Sequence, residues 1–130
     1  MKYFISVLLM MSVAHSYADS AGVLNEDGSF RLKDESIKTL GIDFSKLSSV
    51  GPWSIPLESI VKIKFTKGVY RRYEGAITFV LVNIIKYEKD RVLVSSPDLE
   101  QGDEVAIKGT SYLRLAEADL KSDTVDNCSH

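Results

Sequence analysis

The chain has 130 residues, with 16 basic and 18 acidic side chains, two histidines, one cysteine and three methionines. Every methionine and one histidine fall within the first eighteen residues, so the rest of the chain cannot assemble a histidine-based catalytic triad, a multi-histidine zinc site or a methionine-rich copper site. A single cysteine cannot form an internal disulfide, and charge without a long block of either sign argues against nucleic acid or an anionic membrane as the main partner.

Residues 1–18 have the pattern of a secretory signal peptide. Lys2 gives a short positive region, residues 4–13 form an apolar core, and residues 16–18, Ser-Tyr-Ala, form a small-x-small cleavage site. The apolar run is too short to cross a bilayer comfortably. We therefore expect export to the periplasm by a cleavable signal peptide, with no membrane span in the remaining chain.

The first part of the exported chain is predicted to be a lead-in followed by strand, helix and strand. Residues 19–29 are small and polar, with a turn at Asp27-Gly28, and are predicted to be flexible. Residues 30–32, Phe-Arg-Leu, alternate as a brief strand. Residues 34–41 predict a helix of about two turns, because Asp34 can cap it and Gly41 can stop it. Strand character resumes at residues 42–44.

The second part is rich in strand signals. The run at residues 76–85 is apolar on both faces and is the candidate central strand. Residues 91–95 and 104–108 alternate apolar and polar positions and predict a hairpin. Helical spacing follows at residues 111–120, and the polar residues 121–130 are predicted to be disordered. Two further strands are predicted at residues 61–65 and 69–73.

Three stretches resemble one protein family, in the family's order. Residues 90–109, with Gly102-Asp103 before a strand and Tyr112-Leu113 and Glu117 after it, resemble the C-terminal end of the periplasmic adaptors, or membrane fusion proteins, of resistance-nodulation-division efflux pumps. Residues 30–44 resemble the beginning of the ordered core of those adaptors, and residues 53–61 the segment that opens their C-terminal half. The β-barrel domain, lipoyl-like domain and α-helical hairpin that separate the two ends in the family have no counterpart here.

The resemblance implies a membrane-proximal domain standing alone. We expect an all-β barrel or sandwich of about six strands, with one or two short helices, over residues 30–120. The implied function is that of a non-enzymatic accessory protein of an efflux system, without a cofactor. Its expected partner is an inner-membrane efflux transporter, a full-length adaptor or both, contacted through exposed strand edges and loops. Without the other modules the chain cannot reach an outer-membrane channel as a complete adaptor does.

Three side chains are candidate binding residues. Trp53 lies between Pro52 and Pro56 and is either an exposed interface anchor or a packed cap over the end of the β domain. Cys128 and His130 are the two metal-capable groups that lie together, so the alternative function is a periplasmic metal-binding or metal-delivery protein that takes Cu(I) or Zn(II) at this tail. The simpler interpretation of that tail is a frayed end with a lone thiol.

Two other sets of side chains have a structural interpretation as well as a functional one. Arg71-Arg72, with Tyr70 and Tyr73, form a short basic-aromatic stretch that we interpret as the exposed side of a strand. Five carboxylates at predicted turns and strand ends are interpreted as solvated rather than catalytic, because no histidine or lysine cluster accompanies them. They are Glu58, Glu74, Asp98, Asp103 and Glu104.

Overall fold

The protein is a small sandwich of two antiparallel sheets, with a helix covering the outer face of the larger sheet. The structure, a computed structural model, describes the backbone of residues 22–128 and the side chains of residues 22–122. Of the two architectures predicted, barrel and sandwich, the structure has the sandwich, since the outermost strands of each sheet do not pair with each other.

The large sheet contains seven of the ten described strands. They are β1 (Gly22–Leu24), β2 (Phe30–Leu32), β3 (Asp43–Lys46), β5 (Val61–Ile63), β6 (Thr66–Tyr73), β7 (Ala76–Leu81) and β10 (Glu104–Lys108). Their order across the sheet is β1-β2-β7-β6-β10-β3, and β5 pairs with the first part of β6, which β10 does not reach. The small sheet has the order β4 (Trp53–Pro56), β9 (Arg91–Ser95), β8 (Asn83–Glu88).

The predicted hairpin of residues 91–108 is wrong, although both predicted strands have the observed bounds. β9 belongs to the small sheet and β10 to the large sheet, so the loop at residues 96–103 carries the chain from one layer to the other. Alternation of apolar and polar residues indicates that a strand is half-buried, and it does not indicate which sheet the strand joins.

The apolar run at residues 76–85 is two strands rather than one. β7 lies between β2 and β6 in the large sheet, and β8 forms an edge of the small sheet, with Val82 between them. Val82 donates its amide to the carbonyl of Lys67 over 3.0 Å, and the next residue, Asn83, already pairs with Ser95. In a run that passes from one packed sheet to the other, each half buries a different face. The whole run is therefore apolar on both faces, and it resembles a single central strand in the sequence.

The early part of the chain pairs with the later strands. Phe30 in β2 lies opposite Ile77 in β7, and Phe44 in β3 lies opposite Ala106 in β10. β1 also pairs with β2, so the predicted flexible lead-in contains a strand. The predicted turn at Asp27 closes this hairpin, because the Asp27 carboxylate accepts hydrogen bonds from the amide and hydroxyl of Ser29 at 3.0 and 2.6 Å.

The large sheet has an apolar core on each face. Adjacent residues of β6 show this division, because Val69 packs toward the small sheet and Tyr70 packs toward the helix. The core between the sheets contains Leu47, Trp53, Ile55, Val69, Val80, Val92, Val94, Leu99 and Val105. The core beneath the helix contains Phe30, Leu32, Ile42, Val61, Tyr70, Ile77, Ala106 and Leu113.

Two α-helices and one short 3₁₀ helix (Leu57–Ser59) occur in the described chain. α1 (Asp34–Thr39) ends before Gly41, whose φ of +72° suits glycine, but its N-cap is Lys33 and not the predicted Asp34. α2 (Thr110–Cys128) continues beyond the predicted end at Leu120 and through most of the predicted disordered tail. Residues 121–128 contain no glycine or proline that would stop it. No helix of the described chain is long and apolar enough to span a membrane.

Candidate partner-binding groove

Two loops meet at one side of the sandwich and fix each other's position. The first, residues 47–52, joins β3 to β4, and the second, residues 96–103, joins β9 to β10. The Leu47 amide donates to the Asp103 carbonyl over 2.8 Å, and the Gly102 amide donates to the Leu47 carbonyl over 2.7 Å. The side-chain amide of Gln101 donates to the Ser48 carbonyl over 3.0 Å. These bonds hold the two loops in one preformed arrangement.

Trp53 packs against the first loop and holds it in place. Of the two placements considered for it, the structure has the packed one, because its side chain is only 7% exposed and lies in the core between the sheets. The indole nitrogen donates to the Ser49 carbonyl over 2.8 Å, which satisfies the one polar atom of the ring. Gly51 lies against the ring, where a Cβ atom would come within 2.8 Å of indole carbons.

An open groove of about 590 Å³ lies between the two loops. Val50 stands at its rim with a 76% exposed side chain, whereas Leu99 is buried. The size falls in the range of roughly 300–1,000 Å³ that is common for ligand sites, and an open groove with an exposed apolar residue suits an apolar side chain of a binding partner. Residues lining it include Val50, Pro52, Trp53, Pro97, Leu99, Glu100 and Gln101.

The five carboxylates considered in the sequence do not form a reactive cluster. Glu58, Glu74 and Asp98 are exposed, as predicted. Asp103 differs, since it is buried and its carboxylate accepts the Glu100 amide over 2.9 Å, which shapes the second loop. This local bond to the backbone explains why a turn aspartate can be buried.

Glu104 is held by Arg72 of the neighbouring strand. Two guanidinium nitrogens of Arg72 donate to the two carboxylate oxygens at 3.0 and 3.2 Å, and the guanidinium carbon lies 4.0 Å from the centre of the Phe44 ring. The hydrogen bond from Arg72 lowers the pKa of the Glu104 carboxyl below its ordinary value, against a smaller opposing effect of burial. The pair therefore fixes the β6–β10 register and has no free group for catalysis.

The basic-aromatic stretch does not form one surface. Tyr70 is fully buried under α2, so its predicted place on an exposed side is wrong, and Arg71 and Arg72 are half-buried. Arg71 donates to the Asp98 carbonyl over 3.0 Å. Of the four residues, only Tyr73, the last residue of β6, is mainly exposed.

Sequence reasoning named Glu117 but missed its role. Its side chain is buried, one carboxylate oxygen accepts the Tyr70 hydroxyl over 2.7 Å, and the other accepts the Lys121 ammonium over 3.0 Å. Burial, followed by the bond to Glu117, raises the pKa of Tyr70 above its ordinary value. The signal in the sequence was the spacing of Leu113, Glu117 and Lys121, which are four residues apart and share a helix face.

The metal hypothesis falls outside the described side chains. Cys128 is the last residue of α2, but its side chain is not among those described, and His130 lies outside the described residues. Within the described part of the chain, no group of three or more histidine, cysteine, aspartate or glutamate side chains is placed to hold a metal ion.

Comparisons with protein-family models, with curated proteins and with solved structures found no match to this chain.

Proposed function

We propose that this chain is an exported, non-enzymatic accessory protein of an efflux system, which binds an inner-membrane transporter or a full-length periplasmic adaptor. The groove between residues 47–52 and 96–103 is its binding site. The second loop lies within the stretch whose motifs resemble the efflux adaptors, and the first follows directly on another such stretch. The resemblance supplies the class of partner, and the groove supplies the place of contact.

The observation that carries the proposal is the preformed, apolar groove beside a packed tryptophan. Its loops are already joined by backbone hydrogen bonds between Leu47 and residues 102–103, so little conformational entropy is lost when a partner binds. Val50 exposes a large apolar side chain at the rim, where burial against a partner would be favourable. Trp53 contributes because its packed ring fixes the position of the first loop.

A photo-crosslinking amino acid at Val50 tests this proposal in the cell that makes the protein. We expect Val50 to crosslink to a transporter subunit or a complete adaptor. A matched probe at Tyr112, which is 46% exposed on α2, serves as the control and should give no such product. Equal crosslinking from both positions, or products without an efflux component, would exclude the groove as the proposed binding site.

A further inference from the structure

The turn between β5 and β6 exposes an aromatic side chain completely. Lys64 and Phe65 form a two-residue turn, since Ile63 pairs directly with Thr66. Phe65 is 100% exposed, and the Thr66 hydroxyl donates to the Ile63 carbonyl over 2.8 Å, which holds the turn closed. A fully exposed phenylalanine on a fixed turn has its whole ring available for burial, so transfer of the ring to an apolar phase would be favourable.

Positive charge surrounds this phenylalanine. Between Glu58 and Glu74 the sequence holds five basic residues and no acidic one, although the whole chain has a net charge of −2. Three of them, Lys62, Lys64 and Lys67, lie on the β5–β6 hairpin and are exposed. None of these three forms an ion pair within the described part of the chain.

The hairpin places like charges where they oppose folding. Lys62 lies directly opposite Lys67 in the register of β5 and β6, and cross-strand pairs of like charge are destabilising. Lys64 has a φ of +57°, a left-handed conformation that favours glycine. All three lysines thus occupy positions where another residue would suit the fold better, and an anionic partner would relieve the repulsion between Lys62 and Lys67.

Apolar and amphipathic side chains extend the surface around the turn. Leu81 lies opposite Gly68 at the end of β7 and is 53% exposed. Tyr87 is 55% exposed, and its hydroxyl accepts a hydrogen bond from the Lys67 ammonium over 3.0 Å. Tyrosine with lysine and phenylalanine is the combination that favours the boundary between lipid headgroups and acyl chains.

Nearby carboxylates are already engaged by other groups. A separate groove beside Ile63 and Thr66 is also lined by Asp27 and Glu117. Asp27 accepts hydrogen bonds from Ser29, and Glu117 is bound by Tyr70 and Lys121. Neither carboxylate forms an ion pair with a lysine of the hairpin in the described part of the chain, so these lysines are available to an anion from outside the protein.

We propose that the β5–β6 turn docks on an anionic lipid surface, with Phe65 inserted among the acyl chains and Lys62, Lys64 and Lys67 on the headgroups. The net charge of the whole chain conceals this surface, although its three lysines and Phe65 lie within six consecutive residues, 62–67, which the fold presents on an exposed hairpin. The inference is independent of the efflux partner. Lipid is favoured over nucleic acid as the anion, because the exposed Phe65 ring can be buried among acyl chains, and in the described part of the chain this cluster of lysines is confined to one short hairpin.

Co-sedimentation with vesicles tests the proposal. We expect binding to phosphatidylcholine vesicles that contain about one-third phosphatidylglycerol, weaker at high salt, and little binding to phosphatidylcholine alone. Each substitution Lys62→Gln or Lys67→Gln should lower the partition coefficient about fivefold, and Phe65→Ser about tenfold.

Matched controls lie away from the turn. Tyr73→Ser changes an exposed aromatic residue at the opposite end of β6, roughly 25 Å away, and Lys38→Gln changes an exposed lysine of α1. Both should leave binding within about twofold of the unchanged chain. A Phe65→Trp variant should also show a blue shift of the new indole on anionic vesicles, since Trp53 is buried already.

Three results would overturn the proposal. The first is no binding to anionic vesicles. The second is binding that falls with the lysine substitutions but not with Phe65→Ser, since this would indicate a general attraction to polyanions, including nucleic acid, without insertion. The third is an equal loss of binding in the control variants. Because Phe65 is fully exposed, Phe65→Ser should leave the thermal unfolding temperature unchanged, which separates loss of binding from loss of folding.

Discussion

The hydroxyl of Tyr70 donates a buried hydrogen bond of 2.7 Å to the carboxylate of Glu117, and this bond joins the large sheet to α2 across 47 positions of the chain. The Tyr70 ring also makes edge contacts with Phe30 at 6.1 Å and with Phe79 at 5.6 Å, measured between ring centroids. One side chain thus links β6 to β2, β7 and the helix.

Removal of the Tyr70 hydroxyl should destabilise the fold. Tyr70→Phe keeps the ring contacts but leaves the buried Glu117 carboxylate with one donor fewer, which should lower the free energy of unfolding by about 1–3 kcal/mol. Tyr73→Phe removes a hydroxyl from an exposed ring and should change it by less than about 0.5 kcal/mol. Urea unfolding measures both values. Equal effects of the two substitutions would contradict the structural role of the Tyr70–Glu117 bond.

The same bond predicts a loss of stability in alkaline solution. The pKa of Tyr70 is raised in the folded protein above the ordinary value of 10.0, so the neutral phenol is favoured by folding. The contribution of the neutral Tyr70 phenol to the free energy of unfolding is complete below pH 10. It is lost as the pH rises above that value, because Tyr70 ionises at a lower pH in the unfolded chain than in the folded protein. The free energy of unfolding should therefore fall more steeply above pH 10 in the unchanged chain than in Tyr70→Phe. Identical slopes would show that Tyr70 does not ionise differently on unfolding.

The ion pair of Arg72 and Glu104 predicts that the free energy of unfolding falls as the pH is lowered into the acid range. Because the pKa of Glu104 is lowered below 4.5 in the folded protein, the contribution of the pair is present above that pH and is lost as the pH falls through the folded value. The side chains are 25% and 37% exposed, so we expect an effect of only about 0.5 kcal/mol. Urea unfolding of Glu104→Gln between pH 3 and 7 should show a smaller acid dependence, by about that amount. An acid dependence equal to that of the unchanged chain would contradict this contribution of the Arg72–Glu104 pair.

Gly51 should not accept a side chain. The Cβ of an alanine would lie 2.8 Å from carbons of the Trp53 indole, and the ring is packed in the core and cannot move away freely. Gly51→Ala should lower the free energy of unfolding by about 1–3 kcal/mol, the range seen for overpacking. Val50→Ala, in the same loop, should have little effect on it, because Val50 is exposed. A Gly51→Ala protein as stable as the unchanged chain would show that the loop does not rest on Trp53.

Lys64→Gly should stabilise the fold while it weakens lipid binding. Glycine adopts the φ of +57° without the steric penalty that lysine has, which should raise the free energy of unfolding by about 0.5–1 kcal/mol after its greater freedom in the unfolded chain is subtracted. One positive charge of the hairpin is lost at the same time. Chemical unfolding and vesicle binding of this one variant should change in opposite directions. A change in the same direction would contradict a functional reason for Lys64.

The sequence predicted the strands better than it predicted their partners. The bounds of β2, β9 and β10 follow from local alternation, and Gly41 and Asp27-Gly28 mark a helix end and a turn that the structure contains. The division of residues 76–85 at Val82 could not be predicted, because a strand that crosses between layers has the same apolar pattern as a central one.

Neither the groove nor the hydrogen bond between Tyr70 and Glu117 could be predicted from the sequence, because each is formed by residues that are far apart in the chain. The sequence singled out Trp53 as an interface anchor or a packed cap, but the opposing wall of the groove comes from residues 96–101, more than forty positions away. Likewise, the burial of Tyr70 depends on α2, which no local property of β6 reveals. The lysines around Phe65 lie close together in the sequence at residues 62–67, but their exposure on one hairpin became evident only from the pairing of β5 with β6.

Recovery of the protein with its partners tests the central claim most directly. The complex is captured with an antibody against the chain from mildly solubilised membranes of its own cell, and efflux components are quantified by mass spectrometry. The account predicts that a transporter subunit or a full-length adaptor is enriched at least about tenfold over a Val50→Asp variant, since a buried charge in the groove would oppose binding. Equal recovery with the unchanged chain and the variant, or no efflux component with either, would contradict it.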